Sequence, residues 1–259
     1  MFLRRKPGFL RESVLTPAKA MPPVYLKRSP LSDYKPVGVV SSGWIGLYRP
    51  PLSGQLAVVQ EIKEMDLKHF RVFCDLAHQN IVRPLAIYYD ELVHIVCEYV
   101  ELSLLDILPL STEIEVASIM SQLYDAITTL ISHSVKFRIK TIRISVRGVI
   151  KLVLDWEYEP RIDREPRVAS YELISIYLRG IMATIGDSIE WSDDAIQFQD
   201  ALHSGCLPQA SVYIYISPFR LKAGADNPKH KFLAKSEGRI ALTRRVSLVS
   251  RIKLSRGEP

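Results

Sequence analysis

The feature that most constrains this chain is a change of hydrophobic period near residue 100. Before it, apolar residues come in short β-branched and aromatic runs at 37–40, 46–49, 55–62, 80–88 and 92–100, separated by turn residues such as Pro50-Pro51-Leu52-Ser53-Gly54 and Asp90-Glu91. Runs of this length and composition predict strands. One helical stretch, about 64–76, interrupts them. After residue 100 the spacing lengthens to three and four. Ala117, Met120, Leu123, Tyr124, Ile127 and Leu130 then mark one face of a helix that ends near Ser132. Strands gathered in one half and helices in the other predict the α+β class: a five-stranded, mostly antiparallel sheet followed by a helical part.

The second half carries its own start and stop signals. Thr112-Glu113-Ile114-Glu115 has capping-box spacing, in which the threonine hydroxyl and the glutamate satisfy each other's backbone donors. Residues 149–154 and 211–216 read as strands, and 192–203 as a short helix. Residues 168–185 are apolar nearly all round, which predicts a buried helix that Gly186 can stop.

Charge divides the chain in three. Residues 1–36 carry eight Lys/Arg against two Asp/Glu, and 221–259 carry ten against three. The whole chain is only +6, so the middle is left at −7. Six prolines in the first 36 residues and the absence of a clear period after Leu221 predict a disordered basic head (1–36), one folded domain (37–220) and a flexible basic tail (221–259). Basic ends attract anions weakly and without specificity, but they lack the interleaved aromatics of single-strand nucleic-acid readers.

Several function classes are excluded. No run of apolar residues is long enough for a membrane helix. The N-terminus is too basic, and too broken by Pro7, for a secretory signal; its arginines and scarce acids leave a mitochondrial transit peptide open, against which Pro7, Pro17, Pro22 and Pro23 interrupt any amphipathic helix. Cys74, Cys97 and Cys206 have no metal-ligand spacing and cannot all pair with one another. They predict free thiols in a reducing compartment, cytoplasmic or nuclear. The six histidines show no ligand spacing either, so no metal site is expected. Arg244-Arg245-Val246-Ser247 has the spacing of a basic-directed phosphorylation site.

Motifs in the 37–155 segment add a resemblance. His78-Gln79-Asn80-Ile81-Val82-Arg83-Pro84-Leu85 resembles the turn that follows the regulatory helix of protein kinases, and Ile95-Val96-Cys97-Glu98-Tyr99-Val100 resembles their gatekeeper and hinge. Gly54-Gln55-Leu56-Ala57-Val58-Val59-Gln60-Glu61-Ile62 is similar to their second and third strands. Val149-Ile150-Lys151-Leu152 is similar to the strand before the metal-binding loop. The resemblance spans about 37–216 and is weaker past Asp155. It implies a bilobal protein-kinase-like fold, with an N-lobe at 37–100 and a shortened helical C-lobe at 101–220.

It also implies a degenerate site. Phosphoryl transfer by a kinase needs a glycine-rich loop, a lysine paired to a helix glutamate, a catalytic aspartate, and an asparagine and aspartate for Mg²⁺. The three glycine positions fall on Val40, Ser42 and Ile45, with Gly43 and Gly46 one register off. The lysine position falls on Gln60 and the glutamate position near His69. Between Ala126 and Leu154 there is no Asp, Glu or Asn; Lys136, Arg138, Lys140, Arg143 and Arg147 stand there instead. Without a carboxylate there is no proton acceptor. Of the metal loop, Asp155 survives, followed by Trp156 and Glu157. Asp155 is open to two readings, cation ligand or turn residue, and Trp156 reads as a core plug.

The expectation is therefore a catalytically inactive, truncated kinase-like domain, of a kind found in fungal genomes, acting as a binding or scaffolding module for a protein partner. It has no catalytic residue and no cofactor. Its degenerate nucleotide-pocket positions are Val40, Ser42, Ile45, Gln60, His69, Cys97, Glu98, Val100 and Asp155. The alternative is a divergent kinase that keeps ATP, with Mg²⁺ on Asp155.

Overall fold

The computed structural model describes residues 21–40, 43–49, 54–63, 71, 74, 78–133, 137–156, 166–185, 190–203 and 230–256. Strands β1 (Val24–Leu26), β2 (Tyr34–Val40), β3 (Gly43–Tyr48), β4 (Leu56–Ile62), β5 (Pro84–Tyr89) and β6 (Val93–Glu98) form one six-stranded sheet in the order β1-β5-β6-β4-β3-β2. The five strands expected from the sequence, β2 to β6, pair antiparallel. The sheet is nevertheless mixed and six-stranded, because β1 adds to its edge parallel to β5. Gly43, at φ +152°, lets β3 approach β4 so closely that a Cβ would overlap the Val59 carbonyl.

Strands β7 (Leu102–Ser103), β8 (Ile139–Ile144) and β9 (Ile150–Leu154) form a second, antiparallel sheet. Five helices are described: α1 (Glu113–Ser132), α2 (Pro166–Ile185), α3 (Asp193–His203), α4 (Lys231–Ala234) and α5 (Arg239–Arg256). Helix α1 begins with the expected box: the Glu115 N–H donates to Thr112 Oγ1 at 3.2 Å, and the Thr112 N–H donates to Glu115 Oε2 at 3.1 Å. It then packs against α2, α4, α5 and β9, so its burial goes well beyond one stripe and includes Ser118, Ser121 and Gln122. Helix α2 behaves in the opposite way. Expected to be buried all round, it buries Ile174, Leu178, Ile181 and Ile185 and exposes Ile176.

A buried polar junction ties the two sheets to α1. Asn80, 1% exposed, donates from Nδ2 to Gln122 Oε1 at 2.9 Å and to the Ile150 carbonyl at 2.8 Å. Gln122 accepts from the Ile150 N–H at 3.0 Å and donates to the Ser118 and Gly148 carbonyls. On either side of Ile81 the main chain pairs with β9: the Leu152 N–H donates to the Asn80 carbonyl at 2.8 Å, and the Val82 N–H to the Leu152 carbonyl at 2.9 Å.

The two basic ends depart most from expectation. Residues 21–36, expected as part of a disordered head, cover the outer face of the first sheet. Tyr25 stacks on Tyr88 with centroids 4.8 Å apart, the Tyr88 hydroxyl donates to Asp33 at 2.6 Å, and Arg28 pairs with Asp33. Aromatic burial outweighs the prolines, which occupy positions that tolerate them: Pro30 opens a 3-10 turn, and Pro36 stands at a bulge on edge strand β2. Residues 1–20 lie outside the described residues.

The tail, expected to be flexible from 221, is helical over 231–234 and 239–256. Phe232, Leu233, Leu242 and Val246 are buried in the main core. Its cations meet carboxylates of the acidic middle. Lys235 pairs with Glu113 at 2.8 Å and Asp194 at 3.3 Å, Arg245 with Glu115 at 2.9 Å, and Lys253 with Asp106 at 3.1 Å. Gly148, at φ +75°, allows this docking, because a Cβ there would overlap the Arg239 carbonyl at the start of α5. The expected strand at 211–216 lies outside the described residues.

These pairs set a pH dependence. Burial alone raises the carboxyls of Glu113 and Glu115. Hydrogen bonds from Lys235 and Ser192 to the first, and from Arg245, Ser111 and Thr112 to the second, outweigh it, and both are held below the ordinary 4.5. A depressed carboxyl stabilises the fold above its unfolded value, and that contribution is lost as pH falls through the folded value. Urea unfolding midpoints should therefore hold from neutrality down to about pH 4.5 and fall below it. The fall should be shallower in the Glu113→Gln/Glu115→Gln variant; an equal fall in both proteins would show that these pairs do not hold the tail.

Candidate functional site

The two sheets face each other across a cleft of about 230 Å³. The first sheet contributes Val40 from β2, and Val58 and Gln60 from β4. Cys97 and Glu98 of β6, with Tyr99 and Val100 beyond it, form the back wall, and Lys140, Thr141, Arg143 and Val153 of β8 and β9 close the other side. Five expected site residues thus come together: Val40, Gln60, Cys97, Glu98 and Val100. Ile45 does not join them; it is buried in β3, opposite Val58 of β4. Asp155 follows β9 and does not line the cleft. Ser42 and His69 lie outside the described residues.

Arginines from β8 and from the residues before it dominate the electrostatics. Arg143 crosses to the connection between the sheets, donating from Nε to the Val100 carbonyl at 2.7 Å and from its terminal nitrogen to the Glu101 carbonyl at 3.0 Å. Two backbone acceptors are thereby engaged by one planar cation. Arg138 donates from Nε to Asp155 Oδ2 at 2.8 Å and pairs with the same carboxylate through its terminal nitrogen. The Glu98 carboxylate is held at 2.6 Å by Lys151 and accepts the Arg83 N–H at 2.8 Å. Gln60 is buried in β4, while Lys63, just past that strand, is exposed, as strand alternation requires.

Behind the cleft, Trp156 is buried in the main core, as a core plug should be. The neighbouring Cys97 thiol is fully buried, and that burial pushes its ionisation far above the usual range. Cys97 is therefore an inert wall residue. Among the described residues Cys74 and Cys97 form no disulfide, and Cys206 lies outside the described residues. Two histidines have structural roles: His78 Nδ1 accepts the Asn80 N–H at 3.1 Å, and His230 Nδ1 caps α4 through the Phe232 N–H at 3.2 Å.

This arrangement limits the chemistry. Small-molecule sites commonly enclose roughly 300–1,000 Å³, and this cleft falls short of that range. Among the described residues no three His, Cys, Asp or Glu side chains gather into a metal site. Asp155, the carboxylate expected to hold Mg²⁺ if a nucleotide binds, pairs with the Arg138 guanidinium. Gly43 and Gly46 are explained by strand packing: a Cβ at Gly46 would stand 2.8 Å from the Trp44 ring and 2.9 Å from Tyr34 Cβ.

Sequence reasoning missed Arg138 and Arg143 as structural ligands of the site. Their signal was the basic run itself, which was read for the carboxylate it lacks rather than for the acceptors its cations would find. Ser247 of the RRxS motif is half-buried on α5, and Arg245 of that motif is engaged with Glu115, the Pro109 carbonyl and Ser111.

Removing Arg143 should leave the Val100 and Glu101 carbonyls without their donor. Arg143→Ala is expected to lower the unfolding free energy by about 1.5–3 kcal/mol in urea titration, and Arg143→Lys to recover only part, since lysine lacks the planar fork. A change under about 0.5 kcal/mol for Arg143→Ala would contradict the assignment. The chain matches no protein-family model, and no curated protein matches its sequence.

Proposed function

We propose that the chain is a protein-kinase-like domain without phosphotransferase activity, with a shortened helical lobe, acting inside the cell, in cytoplasm or nucleus, as a binding or scaffolding module for a protein partner. The observation that carries this reading is the placement of two arginines from the stretch where a kinase keeps its catalytic carboxylate. Arg143 holds the carbonyl of Val100, the last residue of the segment that resembles a hinge, and that of Glu101 beyond it, and Arg138 holds Asp155. A nucleotide needs such hinge groups for its base and the aspartate for its metal. Here both are bound from within. Gln60 supports the same reading, since an uncharged amide cannot neutralise phosphate.

Further support comes from the order of elements. A sheet built from the five expected strands leads through a short connection, 99–101, to a second sheet and helices, with the cleft between them. The experiment is a thermal-shift titration of the full chain with Mg-ATP and Mn-ATP at millimolar concentration, run beside a labelled-phosphate transfer assay. No rise in Tm and no transfer are expected, because a ligand that binds the native state must raise Tm by mass action. An ATP-dependent rise abolished by Asp155→Ala, or transfer abolished by Gln60→Ala, would overturn the proposal in favour of a divergent kinase that holds ATP and Mg²⁺.

A further inference from the structure

Helix α5 has two sides with different chemistry. One side is fixed to the body by Leu242 and Val246 in the core and by the ion pairs of Arg245 and Lys253. The other side is free of such ties. The helix carries Lys/Arg at six positions and no Asp or Glu, so its outward charge is uncompensated along its own length. Arg239, Arg244 and Arg251 are exposed, and no ion pair among the described residues engages them. Interspersed with them, Ile240, Leu248 and Ile252 are 72%, 60% and 41% exposed. At 3.6 residues per turn, Ile240, Arg244, Leu248 and Arg251 succeed one another along the side opposite Leu242 and Val246.

A single exposed aliphatic on a protein surface needs no explanation. Three of them among unpaired guanidiniums, on a helix already folded and held from behind, make a surface with two demands: anions for the arginines and an apolar medium for the aliphatics. Nucleic acid meets only the first, and the face offers no aromatic ring on which a base could stack. The boundary between headgroups and acyl chains of an anionic bilayer meets both.

We propose that the outer face of α5 docks on an anionic phospholipid surface, with Arg244 and Arg251 on headgroup phosphates and Ile240, Leu248 and Ile252 at the acyl boundary. The helix lies along the surface; no helix among the described residues is long and apolar enough to cross a membrane. Because α5 is preformed, docking carries no cost of folding the helix. The cleft takes no part in it.

The test is co-sedimentation of the full chain with phosphatidylcholine vesicles, with and without phosphatidylserine. Binding to the serine-containing vesicles only is expected. Each arginine near an anionic surface contributes about a fivefold change in partitioning, so Arg244→Glu/Arg251→Glu should weaken it at least about 25-fold. Leu248→Asn, and independently Ile240→Asn, should weaken it severalfold at unchanged charge. Urea midpoints equal to wild type establish that the variants fold, as outward positions should. Equal sedimentation with pure phosphatidylcholine, no sedimentation with either vesicle, or binding that survives charge reversal would overturn the proposal. So would indifference to both asparagine variants, which would reduce the face to a general polyanion binder.

Discussion

The rest of the structure depends on the buried contact between Asn80 and Gln122. A carboxamide pair in an apolar interior is costly unless its hydrogen bonds are made, so its geometry is tightly specified. Gln122 holds α1 to the start of β9 through the Ile150 N–H and to the β8–β9 turn through the Gly148 carbonyl, while Asn80 brings in the turn that leads to β5. Three parts of the chain, more than forty residues apart in one case and seventy in another, are thereby fixed at one point. The cleft between the sheets inherits its shape from this point. Its side wall is β8 and β9, and those strands are positioned by the same carbonyls and amides that Asn80 and Gln122 hold.

A second constraint is charge complementarity within the chain. A total of +6 invites a nucleic-acid reading, and a −7 middle between basic ends invites a picture of two flexible arms. The folded arrangement gives the division another meaning. Glu113, Glu115, Asp106 and Asp194 belong to the middle, and Lys235, Arg245 and Lys253 of the C-terminal segment pair with them. The same logic operates at the cleft and just beyond it, where the basic stretch 136–147 supplies Arg143 to two carbonyls and Arg138 to Asp155. Cations that look like a binding surface in the sequence are in these cases internal ligands. Arg244 and Arg251 are left facing outward on α5.

How much of this was legible depended on how local each signal was. The Thr112–Glu115 box placed the start of α1, because both partners lie within one helical turn. The five antiparallel strands were readable from β-branched runs and turns. Trp156 was recognisable as a plug from its place in the segment that resembles the metal loop, between Asp155 and Glu157. By contrast β1 is three residues long, lies among prolines and pairs with β5 some sixty residues later, so nothing local announces it. The spacing of Leu242, Val246 and Val249 is helical, but arginines and serines between them hide it, and only contact with α1 makes that face apolar. Arg143 depends wholly on tertiary structure: its acceptors are backbone carbonyls, which no sequence pattern marks.

The central claim is that the cleft's own arginines occupy the groups a nucleotide would need. Nitrogen-15 NMR of the arginine Nε–H signals, assigned with Arg138→Lys and Arg143→Lys, reads those contacts directly. The Arg143 signal should exchange slowly with water, and both signals should hold their positions as Mg-ATP is added to millimolar concentration. An Arg143 signal that exchanges as fast as those of exposed arginines, or either signal moving in step with added nucleotide, would contradict the account.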